Sequence, residues 1–201
     1  MSMELNKYKL EELCKLSSAK RIFEDEYVHD GVPFIRGQEV SDKSILDENA
    51  KFDCYITQER YNEIRRDYGV PQKGDILMTA VGTIGNIIVL NTDRQFYFKD
   101  GNIIRFSDFA ETVCSDWLAF YMQSSFFKKQ LENQLIGAVQ KALTMVMLNK
   151  TEILLPPIEY QQKIASILSA LDRKIALNRA INRNLQKPDH SSATEEARRA
   201  A

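Results

Sequence analysis

The sequence predicts an α+β (mixed α/β) globular domain followed by a long, protruding C-terminal α-helix. Two observations lead there. Short β-prone runs at residues 32–38, 74–79, 87–90, 95–106 and 152–155 alternate with helical patterns at 57–66 and 117–135. After Pro156-Pro157, an apolar rhythm then continues without a break to Leu185. In that last stretch Ile164, Leu168, Leu171, Ile175, Asn178, Asn182 and Leu185 recur four and three residues apart, the a/d pattern of a coiled-coil seam. Ile167 and Ile181 widen the stripe, and the seam spans roughly 32 Å at about 1.5 Å per residue. A helix with one apolar face needs a partner, and two seam Asn residues suit a paired helix, since a polar a or d residue fixes register at a cost in stability.

Taken in order, residues 5–14 suggest a short strand and a turn. Lys20, Arg21 and Phe23 precede an acidic run, Glu24-Asp25-Glu26. Gly31-Val-Pro-Phe-Ile-Arg36-Gly-Gln38 is a short apolar strand, with Pro33 suited to a strand start or an edge. Thr57 is placed to cap a helix through Arg66 that Gly69 and Pro71 end. Arg60, Arg65 and Arg66 fit a solvated face of it. Gly74-Asp-Ile-Leu-Met-Thr79 enters a strand, and a loop with Gly82 and Gly85 leads to the buried run 87–90. The loop lacks the Gly-Lys-Ser/Thr of a phosphate-cradling loop, and the Rossmann fingerprint is absent. Residues 95–98 and 103–106 around Asp100-Gly101 predict a hairpin. Ser115 or Asp116 is expected to cap a helix interrupted near Ser124-Ser125 and resumed to Leu135. A loop at 137–144 and a strand at 152–155 complete the domain. The expected division is 1–154 for the domain, 155–187 for the helix and 188–201 for a tail. The tail drops the seam at Pro188 and reads as disordered or as a non-native end.

Of the 201 residues, 44% are hydrophobic and 27% charged, with a net charge of −1, so composition does not announce a nucleic-acid binder. A phosphate-binding surface has to be local. There is no run of apolar residues long enough for a membrane span and no signal-peptide pattern, so the expected location is the cytoplasm. Cys14, Cys54 and Cys114 are too dispersed for a disulfide framework, and His29 and His190 lack neighbours at metal-ligand spacing. No metal or cofactor is expected. Nucleophile-elbow, zincin and EF-hand motifs are missing, and Asp75 and Glu152 form no readable acid/base pair. That silence favours binding over catalysis.

The order of pieces resembles the specificity subunit of type I restriction-modification systems over about residues 5–186. The resemblance rests on Gly31-Val-Pro-Phe-Ile-Arg-Gly, on Gly74-Asp-Ile-Leu-Met-Thr-Ala-Val-Gly-Thr-Ile-Gly85, on Phe96-Tyr-Phe-Lys-Asp-Gly-Asn-Ile103 and on Gly137-Ala-Val-Gln140. Most diagnostic is Leu155-Pro-Pro-Ile-Glu-Tyr-Gln-Gln-Lys-Ile, close to the family's Pro-Pro-Leu-x-Glu-Gln-x-x-Ile, with Tyr160 where Glu is usual. The family's usual chain has two target-recognition domains, each followed by a helix, and the helices pair as an antiparallel coiled coil. The resemblance therefore implies a half-subunit that homodimerises, or one half of a longer chain. It implies a non-catalytic DNA-recognition role: the domain reads half of a bipartite site, while the helix sets the half-site spacing and docks the modification (methyltransferase) subunit and, through it, the restriction subunit. Base and phosphate contacts call for polar or cationic side chains on loops and helix ends. The candidates are Arg36, Gln38, Thr79, Thr83, Lys99, Asn102, Gln140 and Lys141, with the seven seam residues for helix pairing. The alternative is a non-enzymatic protein-interaction module with a coiled-coil helix and no DNA role. A small nuclease has no metal-binding carboxylate cluster to support it.

Overall fold

A computed structural model of the chain describes residues 5–135 and 143–185. It divides into two compact units between Ala165 and Ser166, within the C-terminal helix. The elements of the first are β1 (Asn6–Lys9), α1 (Leu10–Leu13), β2 (Lys15–Ser17), β3 (Val32–Ile35), α2 (Gly37–Ser41), β4 (Tyr55–Ile56) and α3 (Gln58–Asp67). They continue with β5 (Ile76–Thr79), β6 (Ile87–Val89), β7 (Tyr97–Phe98), β8 (Ile103–Ser107), α4 (Ser115–Gln123), α5 (Ser125–Leu135), α6 (Met145–Asn149) and β9 (Glu152–Leu155). The helix α7 (Ile158–Leu185) begins in the first unit and supplies the second. The mixed α/β class with a long C-terminal helix is what the sequence patterns predict.

The centre of the first unit is an antiparallel four-stranded sheet in the order β2-β8-β5-β6. Its middle strands are buried on both faces, and alternate residues serve two different cores. Ile76, Met78, Ala80, Ile104 and Phe106 join a core built with Leu118, Phe127, Leu148, Ile153 and Ala165. Leu77, Ile88 and Ile103 face the other way, into a core with Phe34, Ile35, Val40, Ile56, Tyr61, Ile64 and Tyr97. A strand buried on both faces reads as a continuous apolar run rather than an alternation, as Ile76-Leu77-Met78 does. Its side chains still alternate, and the two faces carry two separate layers. A three-stranded sheet in the order β4-β3-β7 lies in the second core, and β1 pairs with β9 beside the first.

The predicted hairpin at 95–106 does not form. The Asp100-Gly101 turn is present, with Gly101 at φ +70°, but β7 pairs in parallel with β3 while β8 pairs with β5 and β2. Both edges of β8 are therefore occupied, which leaves none for β7. Turn chemistry was local and legible; the choice of partner was set by tertiary packing. Thr57 caps α3 as expected, its hydroxyl accepting the Arg60 N–H at 3.1 Å. Arg60 is not simply solvated: its guanidinium pairs with Glu26 at 2.7 Å and Glu63 at 3.1 Å. The cap of α4 is Cys114, not Ser115 or Asp116, and a side chain from α7 satisfies its N–H.

That side chain is the fully buried Gln161. Its Oε1 accepts the Cys114 N–H at 2.8 Å, and its Nε2 donates to the Thr112 and Pro156 carbonyls at 2.9 and 2.7 Å. The first turns of α7 are thereby rooted in the globular unit, and Ala165 closes the contact in its first core. The buried Asp75 and the half-buried Arg105 pair at 2.6 Å, tying the start of β5 to β8 across the sheet. Asp75 Oδ2 also accepts the Gln72 N–H at 2.8 Å, so the same carboxylate oxygen holds the turn that leads into β5.

The second unit is helical from Ser166 to Leu185 among the described residues. Ile167, Leu171, Ile175, Leu177 and Ile181 are exposed, as are Asn178 and Asn182, and Leu168 is half-buried. No helix among the described residues is long and apolar enough to cross a membrane.

Burial pushes the Cys14 thiol up to about 12, so it stays protonated and inert in the folded protein. Alkylation at pH 8 followed by peptide mapping is expected to label the half-buried Cys54 and Cys114, and Cys14 only after denaturation. Rapid labelling of Cys14 in the native state would contradict this packing.

Candidate nucleic-acid interface

The end of β5 organises the candidate surface. Thr79 is 1% exposed. Its hydroxyl donates to the Thr83 carbonyl and accepts the Asn86 N–H at 3.0 Å. Its backbone N–H donates to the Asn86 carbonyl at 3.0 Å, and its own carbonyl accepts the Gly85 N–H at 2.9 Å. The loop between is closed on one buried threonine. Gly82 and Gly85 sit at φ +75° and +83°, with open space where a Cβ would stand, so backbone conformation and not crowding calls for glycine.

Further hydrogen bonds bring distant segments to this loop. The Ala80 N–H donates to the Asn102 carbonyl at 2.8 Å, and the Leu143 N–H donates to the Ala80 carbonyl at 3.1 Å. Asn86 Nδ2 donates to Ser41 Oγ at 2.8 Å, and that hydroxyl donates to the Gly37 carbonyl at 2.7 Å. The Lys99 N–H donates to the Ile35 carbonyl at 2.9 Å. The β3–α2 junction, the 79–86 loop and the 99–102 turn are thus fastened together as one rim of the globular unit.

Six of the eight predicted contact residues lie on these segments. Arg36 is exposed at the start of α2, with its N–H on Glu39 Oε2 at 2.8 Å and its Nη2 directed to Cys54 Sγ at 2.9 Å. Gln38 is exposed and reaches Asp42 only at 3.4 Å. Thr83 is exposed, whereas Lys99 and Asn102 are half-buried on the turn. Lys99 forms no ion pair among the described residues. Thr79 faces inward and its hydroxyl is used within the loop, so it holds the surface and does not present a group on it. Gln140 and Lys141 lie outside the described residues.

Sequence reasoning missed Arg21, whose Nε pairs with Asp100 Oδ2 at 2.9 Å on the same turn. It also missed Ser41 and Asn86. No local pattern joins residues so far apart in the chain, so only the fold reveals them. The carboxylates here are occupied: Glu39 by the Arg36 N–H, Asp100 by Arg21, and Asp42 by the Ser44 N–H at 2.9 Å. Burial would raise the Asp42 carboxyl, but hydrogen bonds from Ser44 and Gln38 outweigh it and hold it below the usual range. Among the described residues no His, Cys, Asp and Glu cluster could hold a metal ion.

A family model described as the type I restriction modification DNA specificity domain matches residues 3–187. The chain belongs to that family. Over 171 residues it is 30% identical to a Haemophilus influenzae protein assigned as a type I restriction enzyme specificity subunit, covering 84% of this chain and 41% of that one. Over 186 residues it is 25% identical to the MjaVIII specificity subunit of Methanocaldococcus jannaschii, covering 89% and 42%. The chain therefore spans about two fifths of the length of these curated relatives. The HsdS subunit from Thermoanaerobacter tengcongensis shares its fold at a TM-score of 0.59 and 20% identity, over 88% of this chain and 39% of that one. The type I restriction-modification S subunit from M. genitalium gives 0.61 at 13% identity, over 92% and 43%.

Replacing Thr79 by Val removes a hydroxyl that serves two backbone groups of the rim loop. Urea unfolding of Thr79→Val is expected to show a loss of about 1–3 kcal/mol, while Thr83→Ala, which keeps the bonded carbonyl, stays within about 0.5 kcal/mol. Equal losses in both variants would contradict the hydrogen-bond scheme.

Proposed function

We propose that this chain is a DNA sequence-recognition element of a type I restriction-modification complex. Its globular unit reads one half of a bipartite site through the rim, and its helix sets the spacing to the second half and docks the modification (methyltransferase) subunit. The observation that carries the reading is the rim itself. Arg36, Gln38, Thr83, Lys99 and Asn102 come from three separate segments, and backbone hydrogen bonds fasten them to one place. Side chains of this kind on a preorganised rim suit base edges and phosphates, and fixing them before binding lowers the ordering cost. No chemistry is assigned to the chain. Methyl transfer belongs to the modification subunit, and cleavage to the restriction subunit recruited through it, in the cytoplasm.

The helix completes the reading. Ile164, Leu171 and Ile175 of the seam are exposed, and so is Ile167 on its flank. Burying one such side chain is worth about 1.5–3 kcal/mol, so an antiparallel partner helix has a strong driving force. The partner comes from a second copy of this chain or from a second recognition half in a longer protein. Asn178 and Asn182 then fix the register of the pair, and Leu185 ends it. Half-site separation follows helix length, as in other two-headed DNA readers. An interaction module with no DNA role leaves the convergence of the rim candidates unexplained.

The complex assembled with its modification subunit is expected to hold site-bearing duplex DNA more tightly than a scrambled duplex. Affinity should fall as salt rises, because released counterions drive phosphate contacts. Equal affinity for both duplexes in a complex that has formed would overturn the recognition role. For the helix, Leu168→Asp with Leu171→Asp is expected to lower the assembled mass in sedimentation while the circular dichroism of the globular unit is kept. Unchanged mass would overturn the pairing.

A further inference from the structure

One side chain of the rim has no role in the scheme above. Val81 follows the Ala80 anchor in the 79–86 loop and is 48% exposed. The loop that carries it is closed by Thr79, Gly85 and Asn86 and fastened to Asn102 and Ser41. A loop so heavily hydrogen-bonded has little freedom to fold an apolar side chain away. Its neighbours Gly82 and Thr83 are exposed as well, and the segments bonded to the loop carry Arg36 and Lys99. An isopropyl group is therefore held up to solvent on an otherwise polar, partly cationic rim.

Resting on the DNA-recognition reading, we propose that Val81 is a specificity-determining residue that packs against the 5-methyl group of a thymine in the major groove. The chemistry selects this occupant. Among the groups on base edges in the major groove, the thymine methyl is the apolar one, and side chains of small apolar size recognise it by contact. Polar neighbours such as Thr83 and Asn102 can take the hydrogen-bonding groups beside it. Because the loop is already set, the contact is made without ordering the backbone, and the methyl group is read by fit. Gly82 and Gly85 add no side chains that would keep the backbone from a groove wall.

The test uses the full chain assembled with its modification subunit. The probes are duplexes carrying the mapped methylation site, with each thymine of the recognised half replaced in turn by deoxyuridine. With Val81 present, one replacement is expected to slow methylation about tenfold. In Val81→Ala the all-thymine duplex should be slowed by a similar factor, and the same replacement should then have no further effect. Val81→Ser serves as a second variant, and since the side chain is exposed both should melt as the parent does. A replacement penalty that survives unchanged in the variants, or a recognised half-site without thymine, overturns the proposal. Loss of complex assembly in Val81→Ala also overturns it, by placing a protein surface against the loop. The DNA-recognition reading fails by a different result, namely methylation by the parent complex with no sequence preference.

Discussion

The double burial of the central sheet is the constraint on which the globular unit depends. β5 has no solvent face: Ile76 and Met78 enter one core while Leu77 enters the other. A one-residue slip in its pairing would send every side chain into the wrong layer, so its register is tightly specified. That register fixes where the strand stops. It stops at Thr79, and the buried hydroxyl there closes the loop around which the rim is gathered. The position of the candidate DNA-reading groups thus follows from how a short apolar strand is shared between two cores.

The same logic explains what the sequence discloses. Ile76-Leu77-Met78, the capping Thr57, the break at Ser124-Ser125 and the Pro-Pro start of the long helix are local signals, and each appears in the fold where it stands in the chain. The hairpin at 95–106 was misread because its turn is local but its strand partners are not. β8 was claimed on both edges by β2 and β5, and β7 went to β3. Thr79 looked like a surface group because it borders a glycine loop, yet burial turns its hydroxyl inward. Arg21 and Asp100, or Ser41 and Asn86, meet only through folding, and no spacing in the chain announces either pair.

Gln161 gives the motif at the helix start a physical role. A buried amide with both of its polar atoms bonded is stabilising where it stands, and losing it would strand the Cys114 N–H. The residues just after the proline pair are therefore part of the globular unit as well as of the helix. The departure at Tyr160, which is 42% exposed, falls on a neighbouring position that the core does not use. In the proposed assembly, the rooted end of α7 and its apolar stripe divide the labour between holding a reading head and pairing with another.

In the proposed function this rim reads one half of a split DNA site. The most direct measurement maps methylated bases across the genome of cells carrying the intact system, with the parent chain and with Arg36→Ala plus Lys99→Ala. A bipartite methylated motif of unchanged spacing is expected, relaxed in the variant in the half that this chain reads, and in both halves where a second copy supplies the partner. A motif identical in both strains, at equal occupancy, would contradict the proposal.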